Sequence, residues 1–557
     1  MEIRNRLKLE PRHQFKTNNK FYLILILVFS ILGVIGLFNH EMWRDEVEAW
    51  LIANNSDSIP ELLNNIKYIG HPGLWYICLY FITRFTDNLL VMQIFHLIIA
   101  IGFVSLFLFY APFTKLQKTL FCFGYFTLYE YTIISRNYGL GLLLLFAFCI
   151  LYPYRDRSYL PLAIILFLLS HLNAYTLIIS FTLTLTLIID AYFNRNLHHL
   201  YSKRWSILAS FIIYFIGLIT SLIQIIPPLD SDYHGDLIGI GENNTLYTTG
   251  ESISSSFFYI NKLSRSFASI WKAYVAIPDL FTWHFHNSNI FYMFTDGIAN
   301  VLGDATVVGN FNILNILIYP LCVIIFLSIA IAFYRQPIIL FFYTISNCAI
   351  IGFFYFVRIP NARHIGHLFI IFIISLWLST NYKYQILPNK IKNRFFDWIV
   401  INKSLLLTLF LCFHLVGGVY AYSRDLVDPF SGSKAAVEYI KENNYDRLTI
   451  AGSTHTKIAP FSALLNKEIY YLEREEFGTY TVWTGKKQKN NINITNREIL
   501  EQVEGLINDS NSEILLILDR KLESNISLLN IQPLAEFESS IVKGETYYLY
   551  LVTKNRL

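Results

Sequence analysis

Two carboxylates stand side by side in Trp43-Arg44-Asp45-Glu46-Val47-Glu48-Ala49-Trp50, a few residues beyond the first long apolar run. Such a pair, flanked by aromatics, supplies a general base or a metal ligand at a membrane surface. An amphipathic surface helix with a solvated acidic face produces the same pattern. Further on comes His71-Pro72-Gly73-Leu74-Trp75-Tyr76. A histidine just ahead of a helix-opening proline sits where a helix N-terminus meets an anionic phosphate, though it equally serves as a cap. In Ser135-Arg136-Asn137-Tyr138-Gly139-Leu140, Arg136 lies between two apolar stretches. A cation there is costly and marks a functional site, or it snorkels at a helix boundary. Its guanidinium suits planar, bidentate phosphate binding. His171 and Asn173 interrupt a later apolar stretch, and Arg358, Arg363 and His364 form another basic cluster. Asp230-Ser-Asp232-Tyr-His234-Gly-Asp236 and His284-Phe-His286 match no specific zinc or calcium signature and read as polar loop.

The elements that position these groups are membrane helices. Apolar residues make up 54% of the 557, aromatics 17% and charged residues 15%, against about 25% charge in a soluble chain. The formal charge of +4 implies no polyanionic partner, which argues against a nucleic-acid binder. Charge is also uneven: about 25% over residues 430–557 and about 12% over the rest. The chain therefore divides into a membrane part, 1–429, and a C-terminal part, 430–557, of ordinary soluble composition. Cys78, Cys122, Cys149, Cys322, Cys348 and Cys412 all fall in apolar runs and indicate neither a disulfide framework nor a metal site.

The first run, Phe21–Phe38, follows six basic residues and no small-x-small cleavage site follows it, so it reads as a spanning helix with its N-terminus in the cytoplasm. Further runs lie at about 73–83, 88–110, 119–135, 138–152, 159–173, 174–190, 205–226, 312–334, 337–357, 364–380 and 404–421. A span needs about 20 apolar residues, so 73–83 is a short or re-entrant helix and about eleven spans remain. With that register the basic loops at Lys115/Lys118, Arg155/Arg157, 195–204, Arg335 and 383–403 all fall inside, as the positive-inside rule requires. Loops 39–71 and 227–311 and the tail then lie outside. Helix and strand patterns alternate in the tail (helical at 433–443 and 496–507, strand at 448–451, 469–472, 514–518 and 547–552), which predicts a small extracytoplasmic α/β domain. The expected fold is a polytopic α-helical membrane protein carrying that domain.

In order and spacing, the motifs resemble the GT-C superfamily of membrane glycosyltransferases, especially bacterial members similar to protein O-mannosyltransferases and aminoarabinose transferases. The acidic pair of that family is matched by Asp45-Glu46. Its His-Pro-Pro-Leu-Tyr-Tyr-like motif is matched by His71 to Tyr76, with Gly73 in place of the second proline. Its Ser-x-x-Arg-x-Tyr-x-Leu-like motif is matched by Ser135 to Leu140 with shortened spacing, and its late Arg-Tyr-like motif by Arg363-His364, with histidine where tyrosine is usual. The resemblance implies a polyprenyl-phosphate monosaccharide as donor, an acceptor hydroxyl on a protein, lipid or glycan, and inverting transfer at the outer face of the plasma (inner) membrane. It implies Asp45 as the base with Glu46 as understudy, and His71, Arg136, Tyr138 and Arg363 around the donor phosphate, with His171 and His364 as further candidates. Some relatives use a divalent cation, but no ligand set here demands one. The competing reading is a transporter or lipid flippase. Transporters place charged residues near the bilayer midplane and carry internal repeats. Here the middles of the runs read as free of acidic residues, and no repeat is evident.

Overall fold

The computed structural model describes residues 19–194, 204–226, 228, 255–302, 307–308, 311–385, 394–482, 494–510, 512–522 and 529–555. The Asp230–Asp236 motif lies outside them. The chain is an integral membrane protein built mainly of helices: α1 (Asn19–Asn39), α2 (Arg44–Asn54), α3 (Ile59–Ile66), α4 (Leu74–Thr83), α5 (Leu90–Tyr110), α6 (Lys115–Cys122), a π-helix (Tyr125–Ile133), α7 (Tyr138–Leu151), α8 (Leu160–Ser170), α9 (Ala174–Asn194), α10 (Arg204–Ile225), α11 (Ser255–Tyr274), α12 (Ile290–Leu302), α13 (Ile318–Ala332), α14 (Pro337–Phe356), α15 (Ala362–Ser379), α16 (Arg394–Ile401) and α17 (Lys403–Asp425).

Among the described residues, eight helices are long and apolar enough to cross a membrane. The run at 73–83 is the ten-residue helix α4, as its length predicts. Three other runs differ from the expectation of simple spans. Residues 115–133 and 138–154 form one pair bent by 120° at a short break, and 159–173 holds only the eleven-residue α8. The polar sequence Ser135-Arg136-Asn137 causes the bend. Its backbone leaves the helical ladder, and Asn137 Nδ2 donates to Leu172 O at 2.9 Å. The lipid-facing helices keep apolar side chains exposed, as Leu23, Leu27 and Ile31 of α1 do, because lipid makes outward burial unnecessary. α15 sits at the centre instead, with all its residues from Arg363 to Ser379 buried.

Close backbone packing holds the π-helix between α15 and α17. A Cβ on Gly418 would lie 2.5 Å from Phe123 O and 2.8 Å from Tyr125 N, and one on Gly417 would collide with Ala276 O. α2 lies across one end of the bundle. It buries Val47, Trp50, Leu51 and Ile52 against Leu62, Trp75, Leu79 and Met92.

The C-terminal part is a small α/β domain. β3 (Thr449–Gly452), β4 (Ile469–Tyr471), β5 (Glu476–Gly478), β6 (Ile514–Leu518), β7 (Leu529–Phe537) and β8 (Tyr547–Lys554) form one sheet in the order β5-β4-β3-β6-β8-β7. A two-stranded ribbon, β1 (Val307–Val308) with β2 (Phe311–Asn312), precedes it in the chain. β3 is parallel to β4 and β6, while the remaining pairs are antiparallel. Strand β6 is buried along its whole length, and helices α18 (Ser433–Glu442), α19 (His455–Leu465) and α20 (Asn496–Ser510) accompany the sheet. Helix α19 also packs on α2, bringing Ala459 into the apolar cluster under Trp50.

Candidate active site

Helix α2 begins at Arg44 because Glu46 reaches back to accept from Trp43 N at 3.4 Å, closing the first turn. Consecutive residues then diverge. Asp45 turns toward two arginines from distant elements: its Oδ2 lies 2.6 Å from Arg363 Nη2 and 3.2 Å from Arg136 Nη1. Arg136 Nη1 also donates to Asp45 O at 2.5 Å. Arg44 Nε is 3.8 Å from the other carboxylate oxygen. Arg136 comes from the bend after the π-helix, and Arg363 from the first turn of α15, where its guanidinium lies over the Trp43 ring at 5.4 Å. Burial pushes the Asp45 pKa up, but Arg363, Arg136 and Arg44 outweigh it and hold the carboxyl well below its ordinary range.

Glu46 faces the other way and is fully buried. Oε1 accepts from Ser135 N at 2.5 Å and Oε2 lies 3.1 Å from His40 Nε2. His40 Nδ1 in turn meets Asp425 Oδ2 at 2.7 Å. This Glu46–His40–Asp425 chain ties α2, the bend and the end of α17 together. Burial lowers the His40 pKa, yet Asp425 and Glu46 overcome it and raise it to about 10, so the imidazole is charged between its two carboxylates.

His71 stands just before α4. Its Nδ1 is buried without a hydrogen-bond partner. Burial, then Arg136, Arg358 and Arg363, lower its pKa to about 3, so the ring is neutral and within electrostatic reach of the arginines. Gly73 donates its N–H to Gln224 Oε1 at 2.8 Å, a bond that a proline there could not make. Leu74 N donates to His171 O at 3.0 Å. The Tyr138 hydroxyl is buried beside the Arg363 guanidinium, its ring stacked 5.8 Å from Tyr131 and tilted against His364 at 6.1 Å.

The structure thus brings Asp45, Arg136 and Arg363 into direct contact, with His71 close by. Glu46 is turned away from them. His171 is engaged elsewhere, and His364 stands at the edge of the group beside Tyr138, with one ring nitrogen used as a cap. His171 Nε2 meets Thr220 Oγ1 at 2.9 Å and its Nδ1 meets Phe167 O at 2.9 Å. His364 Nδ1 accepts from Asn361 N at 3.2 Å, capping α15. His284 Nδ1 reaches Ser540 O at 2.8 Å in the C-terminal domain.

Sequence reasoning missed two groups. The run 119–135 contains Glu130, buried in the π-helix, with Oε2 3.5 Å from His286 Nε2 and accepting from Tyr125 OH at 3.4 Å. The apolar runs are therefore not free of acid. The missed signal was a lone carboxylate among aromatics, Tyr129-Glu130-Tyr131. The second group is His40, whose partner Asp425 is 385 residues away and leaves no local pattern. Among the described residues no three His, Cys, Asp or Glu side chains gather as a metal site would require.

No family model matches the chain, and no curated protein matches it. Solved structures to which the chain is similar include two of one protein. One is the crystal structure of ArnT from Cupriavidus metallidurans bound to undecaprenyl phosphate, at 8% identity, covering 96% of this chain and 98% of that one, with a TM-score of 0.47. The other is the same ArnT in the apo state, at 9% identity, covering 94% and 83%, with a TM-score of 0.31.

Proposed function

We propose that the protein is a glycosyltransferase of the GT-C kind. It moves a monosaccharide from a polyprenyl-phosphate donor to an acceptor hydroxyl at the outer face of the plasma membrane, with inversion at the sugar carbon. The observation that carries the reading is the meeting of Asp45 with Arg136 and Arg363 at one end of the helix bundle. A lipid phosphate at the membrane boundary needs cations, and planar guanidiniums bind it through paired donors. An acceptor hydroxyl needs a base within hydrogen-bond reach. One carboxylate suffices, since the leaving group is a phosphate that needs no protonation, unlike the paired carboxylates of a glycosidase.

In this mechanism Asp45 takes the proton of the acceptor hydroxyl as its oxygen bonds to the anomeric carbon. The carbon–oxygen bond to phosphate breaks, and its electron pair stays on the phosphate, whose charge Arg136 and Arg363 stabilise. Neutral His71 and the buried Tyr138 hydroxyl supply hydrogen-bonding groups beside them. Glu46, His171 and His364 position backbone rather than substrate. The C-terminal domain, residues 430–557, lies on the same outer side. Purified Asp45→Asn tested with a polyprenyl-phosphate sugar will show no transfer while remaining folded and membrane-inserted. Undiminished transfer would remove Asp45 from the base role.

A further inference from the structure

We propose that Asp45 and the donor phosphate compete for the same pair of guanidiniums, so that Asp45 becomes a base only when a phosphoryl group takes the arginines from it. This inference rests on the glycosyltransferase reading and concerns how the same site is controlled.

One oxygen, Asp45 Oδ2, lies 2.6 Å from Arg363 Nη2 and 3.2 Å from Arg136 Nη1. Two cations converging on a single anionic oxygen is the coordination that a phosphate oxygen requires. The carboxylate does not exhaust these cations. Arg363 Nε and Nη1 are buried with no hydrogen-bond partner, and the residue is 4% exposed. A guanidinium carries five N–H donors, and leaving buried donors unmade costs free energy. Other buried polar atoms on neighbouring elements also have no partner, His71 Nδ1 and Ser135 Oγ, and the Tyr138 hydroxyl lies beside Arg363. The Asp45 carboxylate is tethered to α2, whereas the donor's phosphodiester, with two unbridged oxygens of its own, is free to settle among these groups.

The chemistry follows from the same contacts. A carboxylate whose lone pairs are held by two guanidiniums accepts a proton poorly, because proton and cations compete for the same electrons. When the donor phosphate engages Arg136 and Arg363, Asp45 is released toward the acceptor. It then takes the acceptor's proton as the new carbon–oxygen bond forms, and the old bond's electrons pass to the phosphate. Base strength and donor occupancy are thereby coupled, which suppresses wasteful proton transfer when no donor is bound. Glu46, on the same helix turn, contributes no such anion, since both its oxygens are engaged elsewhere.

The test measures binding. Wild type, Asp45→Asn, Asp45→Ser and Asp45→Glu are titrated with polyprenyl monophosphate in detergent. Neutral variants lose the competing anion and should bind roughly tenfold more tightly, while Asp45→Glu, which keeps the charge, should not. Equal or weaker binding by both neutral variants, beside a wild type that binds, would overturn the competition and leave the glycosyltransferase reading standing. If neither wild type nor the neutral variants bind the lipid phosphate, the donor assignment falls and the competition falls with it.

Discussion

Asp45 and Glu46 are chemically alike and adjacent, yet their surroundings assign them different work. Asp45 faces arginines, and Glu46 faces His40 and a backbone N–H. His40 holds the second environment together. Its ring is buried between Glu46 and Asp425 at 3.1 and 2.7 Å, and Phe430 lies 4.6 Å from it. Because its folded pKa is raised from 6.5 to about 10, its stabilisation is fully present below about pH 6.5 and is lost as pH rises through about 10. Thermal melts of the wild type should therefore fall between pH 7 and 10, and His40→Gln should lack that component. At pH 6.5 His40→Gln should itself be less stable by about 3–5 kcal/mol, since two buried carboxylates lose their cation. A His40→Gln melt with the wild-type pH slope would show that His40 does not carry this charge. At this scale the sequence showed Asp45, Arg136, His71 and Arg363 because charged groups are conspicuous among apolar residues. It hid His40 and Asp425, because a pairing across 385 residues has no local trace.

Among the elements, the π-helix carries the site's geometry. Nine consecutive buried residues, Tyr125–Ile133, wind with the wider repeat. Ile134 N reaches Tyr129 O at 3.4 Å, and Thr132 Oγ1 donates to Thr127 O at 2.6 Å, both five residues back. Such segments concentrate at functional sites. Here it delivers Ser135 N to Glu46 and Arg136 to Asp45. α17 passes so close that only glycine fits at 418, where a Cβ would stand 2.5 Å from Phe123 O and 2.8 Å from Gly124 C. Both neighbours are backbone and cannot rotate away. Gly418→Ala should therefore lower stability by about 1–3 kcal/mol and reduce transfer by shifting Arg136, whereas Gly352→Ala, with open space around its Cβ, should do neither. Equal melting temperatures for the two variants would refute the packing argument. Hydropathy located these segments but could not distinguish a π-helix and a 120° bend from two straight spans, because apolar composition reports burial or lipid contact and not helix pitch. In the C-terminal domain the pattern marked β3, β4, β6 and β8 through their apolar residues. It missed the three-residue β5, the edge strand β7, whose Asn530, Gln532, Pro533 and Glu536 break the apolar pattern, and α19, which carries Pro460 in its interior.

For the molecule as a whole, the C-terminal domain is joined to the helix that bears Asp45. Helix α19 packs on α2, Phe430 packs on both His40 and Trp43, and Glu545 lies 3.5 Å from Arg44 Nε. Glu545 is completely buried. Its Oε2 accepts from Ser431 Oγ and Tyr547 OH at 2.9 Å each. Burial pushes its pKa up and Arg44, which is also 3.8 Å from Asp45, opposes that rise. Arg44 is thus shared between the domain and the site. Glu545→Gln keeps the volume and two hydrogen bonds but removes the carboxyl oxygen that faces Arg44. Removing one partner of a buried pair destabilises chiefly by stranding the other charge, but Arg44 is 26% exposed and keeps Asp45 beside it, so the melting temperature should fall only modestly. Arg44 would then turn fully to Asp45 as a third guanidinium, and Asp45 would release its cations less readily. Turnover should fall several-fold with the donor concentration for half-saturation rising alongside it. Unchanged turnover in a folded Glu545→Gln protein would mean that Arg44 does not couple Glu545 to Asp45, and that the contact serves docking alone.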